Sequence, residues 1–111
     1  MTIQPAQFDG QNIRRTYDEV TELWWFSVID VVQALTDSAN ARDYWFTMKQ
    51  RVELEDGAQL STLCRQLKML ASDGKQRLTD VATAESLLRI VQSIPSPKAE
   101  PLFAVLGLRV L

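Results

Sequence analysis

The chain contains no histidine and a single cysteine, Cys64, among its 111 residues. It therefore has no means of building an imidazole metal site, a Ser-His-Asp triad, a Cys-His pair, or a cysteine cluster for zinc or iron–sulfur. One cysteine also excludes an internal disulfide. The opening Met1-Thr2-Ile3-Gln4-Pro5 lacks the charged and apolar regions of a secretory signal, so a reducing cytoplasm is the expected location. Glycine is scarce, and Gly10, Gly57, Gly74 and Gly107 are too scattered for a P-loop or a dinucleotide fingerprint. Long apolar runs are missing as well. The longest candidates, Leu23 to Ile29 and Leu102 to Leu111, fall well short of the roughly 20 residues that span a bilayer, so no membrane association is expected. What remains is ordinary globular composition, 46% hydrophobic and 23% charged, in a length that suits one domain.

The formal net charge of -2 argues against a generic polyanion binder, because non-specific nucleic-acid affinity comes mainly from neutralising phosphates. The sum hides a gradient. Residues 1 to 41 carry two basic side chains, Arg14 and Arg15, against six acidic ones, whereas residues 42 to 77 carry seven basic against five acidic. A solvated mixed surface would also give this pattern. From Ala58 to Thr79 only Asp73 opposes Arg65, Lys68, Lys75 and Arg77.

Residues 1 to 11 show little apolar periodicity and are read as a flexible tail, with one domain over residues 12 to 111. Ile13 to Tyr17 and Leu23 to Phe26 are short runs rich in β-branched and aromatic residues, and they fit a first hairpin. Ser27 can cap a helix from about Val28 to Leu35, whose Val28, Val31, Val32 and Leu35 recur at helical spacing. Asn40 can cap the next, with Ala41, Trp45, Met48 and Val52 as its buried stripe. Arg42, Phe46 and Lys49 lie on the other face, so the pair has the outline of a helix-turn-helix. Ala58 to Arg65 is open between a short helix and irregular structure.

Gln66 to Leu70 and Lys75 to Thr79 flank Ala71-Ser72-Asp73-Gly74, where Asp-Gly signals a second hairpin. Alternation predicts Leu67, Met69 and Leu78 inward, with Arg65, Lys68, Lys75 and Arg77 gathered outside like the wing of a winged module. Thr83 can cap a third helix with Leu87, Leu88, Val91 and Ile94 as its stripe, stopped by Pro95-Ser96-Pro97. A last helix should begin between Ser96 and Glu100 and run into Leu102, Phe103, Val105 and Leu106. The expected class is α+β: two short β-hairpins packed with about four helices.

Little catalytic chemistry is left. Asp30, Asp37, Asp43, Asp80 and Glu85 are carboxylates that a magnesium ion would accept, but Asp30, Asp43 and Glu85 fall in first helical turns, where they complement the helix dipole. Trp45 belongs to a buried stripe, and strand alternation turns either Trp24 or Trp25 inward, so at least two tryptophans are expected in the core. Cys64 has only Arg65 beside it and reads as an inert thiol. No enzyme activity, metal or cofactor is expected.

Three segments in order carry a resemblance: LWWFSVIDVVQALTDSANARDYW at residues 23 to 45, QLKMLASDGKQRLTDVAT at 66 to 83, and ESLLRIVQSIPSPKAEP at 85 to 101. Together they resemble the Bro-N domain of prophage antirepressors and viral Bro proteins, particularly the bacterial branch that includes DNA-damage-inducible protein D. The resemblance covers about residues 12 to 103. It implies a small α+β domain, usually N-terminal to a variable partner domain, with a DNA-binding role and no catalytic residues. After Phe103 the chain departs from the family, which continues into a helix with a tryptophan, and an atypical or truncated C-terminal end is expected.

Two functions follow as expectations. In the first, Arg42, Lys49, Arg65, Lys68, Lys75 and Arg77 meet double-stranded DNA, mostly at phosphates. In the second, the domain binds a repressor protein or a second copy of itself, using its acidic N-terminal part and the apolar tail Leu102 to Leu111.

Overall fold

The computed structural model describes residues 5–57 and 59–107. Its elements run β1 (Ala6–Phe8), β2 (Gln11–Ile13), β3 (Arg15–Asp18), β4 (Leu23–Ser27), α1 (Val28–Thr36), α2 (Ala41–Asp56), a 3-10 turn (Leu60–Leu63), β5 (Arg65–Leu70), β6 (Gln76–Ala82), α3 (Ala84–Val91) and α4 (Ala99–Val105). The described residues form an α+β fold with four helices and two antiparallel sheets, β1-β2 and β3-β4-β6-β5.

The helices start where their caps require. Ser27 accepts a hydrogen bond from the Asp30 N–H, Asn40 from the Asp43 N–H, and Thr83 from the Ser86 N–H, each satisfying a donor that the first turn leaves unpaired. Val28, Val31, Val32 and Leu35 of α1 are buried, as are Ala41, Trp45, Met48 and Val52 of α2, so these two helices share one core as their spacing predicts. The second hairpin also forms, and Gly74 at its tip takes φ +82°, where a Cβ would be strained.

Several expectations need correction. The predicted tail contributes β1, which pairs Ala6 with Ile13 and buries Ala6; residues 1–4 lie outside the described residues. The predicted first strand is broken at Arg14, whose N–H donates to the Asp30 carboxylate at 2.9 Å instead of continuing a ladder. In α3 it is Ile90 that is fully buried, while Leu88 is half-buried, and Ile94 reaches the core from the turn after the helix. Val105 of α4 is 50% exposed, whereas Leu102, Phe103 and Leu106 pack inward. Hence the apolar tail is largely consumed by the core as far as it is described; Leu108 to Leu111 lie outside the described residues.

Trp24 and Trp25 are both only half-buried, which leaves Trp45 as the one tryptophan of the core. Arginines cover the other two: the Arg15 guanidinium sits 4.4 Å from the Trp24 ring and that of Arg65 4.3 Å from the Trp25 ring. No described helix is long and apolar enough to cross a membrane.

Candidate nucleic-acid interface

Helix α2 is held against the sheet by one carboxylate. Asp80 on β6 accepts from the Trp45 indole N–H at 2.7 Å, from Lys49 Nζ at 3.3 Å and from Gln66 Nε2 at 3.2 Å. Burial pushes the Asp80 pKa up, but the bonds from Trp45, Gln66 and Lys49 outweigh it and hold the carboxyl below its ordinary value. Lys49 also lies 5.1 Å from the Trp45 ring centroid. It is therefore drawn down against the sheet and away from the outer surface expected for it.

The outer surface of α2 keeps Arg42, Phe46 and Gln50, all exposed and spaced at i, i+4 and i+8. Arg42 shares a hollow of about 530 Å³ with Gln76, Arg77 and Leu78 of β6. The N-terminal half of α2 and the second hairpin thus meet at one surface, as a helix and wing would.

The hairpin does not gather its cations as alternation suggested. Directly opposed residues share a face, and the register pairs Lys68 with Leu78, Met69 with Arg77, and Arg65 with Val81. Lys68 and Leu78 consequently share the face that carries Asp80, towards α2, and Leu78 is 56% exposed where it was expected inward. Arg65 belongs to the opposite face, over Trp25 and 3.6 Å from Asp18. Arg77 pairs with Asp73, and Lys75 is exposed beside the turn. Of the six predicted cations, Arg42, Lys68 and Lys75 remain at or near the α2–hairpin surface, Lys49 is tied down, Arg65 faces away, and Arg77, which borders the hollow, belongs by register to the face of Arg65 and is paired with Asp73.

That opposite face carries a feature the sequence reading missed. The hairpins β3–β4 and β5–β6 pair only through Phe26↔Ala82 and Ser27↔Val81, so they splay and leave a cleft of about 720 Å³. Trp25, Leu67, Met69 and Leu70 line it, and the Trp25 indole N–H is buried without an acceptor. Arg14 crosses one end, donating to the Leu70 carbonyl at 3.1 Å while Asp30 grips its guanidinium at 2.8 and 2.9 Å. Nothing in the local pattern around Arg14 marks this bridge, because its partners lie 16 and 56 residues away. Cys64 is half-buried on the Asp80 side; burial, then the charge of Asp80, pushes its thiol up to about 12 against a smaller pull from Lys49. Among the described residues no group of three or more His, Cys, Asp or Glu side chains is placed to hold a metal ion.

The family model for the N-terminal domain of the BRO family matches residues 12–111. This chain belongs to the BRO family. No curated protein and no solved structure gives a significant match. The match spans the first tryptophan-rich hairpin, the helix pair and the basic hairpin, so the α2–hairpin surface lies wholly inside the Bro-N domain.

Proposed function

We propose that this Bro-N domain is a non-catalytic, cytoplasmic DNA-binding regulatory module of the prophage antirepressor type. The observation that carries the reading is the meeting of Arg42 with the second hairpin around one hollow, with Lys68 on the same sheet face and Lys75 at the turn. An acidic chain gains little from diffuse attraction to DNA, so affinity has to come from such a local cluster. Long cations at its edge would meet phosphates and set the register of the helix on the duplex.

The test is duplex affinity across a salt series for the parent and for the variant Arg42→Glu, Lys68→Glu, Lys75→Glu. All three side chains are exposed, so the variant should keep the parent's melting temperature. It should lose most of its affinity, and the slope of log K against log salt should fall by about one for each phosphate contact removed. Unchanged binding by the folded variant would move the interface elsewhere, and a parent that does not bind at low salt would end the DNA reading.

The cleft favours a second reading, a protein-interaction module that engages a repressor. Its surface is largely apolar, with Trp25, Leu67, Met69 and Leu70 along it. A repressor-binding domain of this kind would bind with little dependence on salt and would be weakened by Trp25→Ala rather than by the charge reversals.

A further inference from the structure

We propose that Arg42, Phe46 and Gln50 are the sequence-reading residues of α2, contacting guanine, a thymine methyl group and adenine respectively in the major groove. This rests on the DNA-binding reading above. The three residues form one stripe along the helix, and each is exposed. Phe46 is 55% exposed, an unusual place for a large aromatic side chain flanked by a cation one turn before it and an amide one turn after.

Much of the rest of the helix is committed, although Asp43, Thr47 and Leu54 are also exposed. Trp45 and Lys49 bind Asp80, and Arg51 donates to the Ser93 carbonyl at 3.3 Å. Ala41, Met48 and Val52 are core. Arg42, Phe46 and Gln50 have no ion pair, ring contact or side-chain hydrogen bond among the described residues, so their chemistry is available to a partner.

That chemistry matches base edges. A guanidinium fits the O6 and N7 acceptors of guanine, a carboxamide fits the N6 donor and N7 acceptor of adenine, and an apolar ring fits the thymine methyl. The stripe covers roughly 12 Å of helix at about 1.5 Å per residue, which corresponds to about three to four base pairs at 3.4 Å. It starts in the first turn of α2, the end that recognition helices present to the groove, and stops at Gln50, before the last turns of the helix. Glu53 and Glu55, beyond it, would be repelled by phosphates and so favour entry by this end.

Selection of the full chain against a random duplex library, with sequencing of the bound pool, tests the assignment. The parent should enrich a short motif. Arg42→Ala, Phe46→Ala and Gln50→Ala should each relax one position of it, lowering discrimination there by roughly tenfold. Gln50→Arg should shift its position from adenine towards guanine, a change that loss of structure would not produce. Lys68→Ala with Lys75→Ala should weaken binding evenly and leave the motif intact. If the parent selects a motif that all four α2 variants reproduce, or binds duplexes without selecting any, the assignment fails while DNA binding stands. If the parent binds no duplex, the DNA reading fails and takes the assignment with it.

Discussion

Asp80 joins a core tryptophan, a lysine of α2 and a glutamine of β5 at one carboxylate. Asp80→Ala leaves the buried Trp45 N–H and the Lys49 ammonium without an acceptor, and should cost about 1–3 kcal/mol in denaturant unfolding. The folded pKa of Asp80 lies below its ordinary value, so the charge stabilises the fold fully above the unfolded pKa of about 3.9 and loses that effect as pH falls through the lowered folded value. The stability gap between the parent and Asp80→Asn should accordingly be largest near neutrality and shrink in acid. Cys64 gives a simpler test. With its thiol pushed up to about 12, it should react with a disulfide reagent at pH 7–8 far more slowly in the native protein than after denaturation.

At the scale of elements, the second hairpin shows how much a local signal can carry. Asp73-Gly74 predicts a turn, and the structure places it there: the Asp73 carboxylate accepts from the Lys75 N–H at 3.0 Å and Gly74 takes a positive φ. Gly74→Val should therefore destabilise by roughly 1 kcal/mol or more, measured as a lower denaturation midpoint with unchanged slope. The same signal was silent about faces. Strand period was legible, but the choice of which alternate set lies inward depends on what covers each face of the sheet. Here α2 approaches from the Asp80 side yet leaves Leu78 uncovered, while Met69 packs on the other side.

For the whole molecule, closure of the fold depends on contacts between distant segments. Ser96 donates to the Leu35 carbonyl at 2.7 Å, and Lys98 bridges Asp9 at 3.1 Å and Asp37 at 2.6 Å, drawing the β1–β2 turn, the end of α1 and the segment entering α4 together. The bridge is largely exposed and contributes little by itself. Strand β1 contributes more, since it buries Ala6 and packs beside α4. Deleting residues 1–8 should hence lower Tm, by roughly 4–8 °C for each kcal/mol lost. A melting curve identical to the parent's would return that segment to the status of a tail.

Sequence by itself determined the helix starts, through Ser27, Asn40 and Thr83; the buried stripes of α1 and α2; the hairpin turn at Asp73-Gly74; and membership of the Bro-N family through three ordered segments. These are short-range properties, set by hydrogen bonds within a turn and by side-chain period along one element. Only the tertiary structure decided the fate of the cations, turning Lys49 to Asp80 and Arg65 to Trp25 while leaving Arg42 beside the hairpin. The physical reason is that a charged side chain goes to whichever partner offers the best hydrogen-bonded geometry at least desolvation, and for these residues the partner is brought within reach by the fold rather than by the chain.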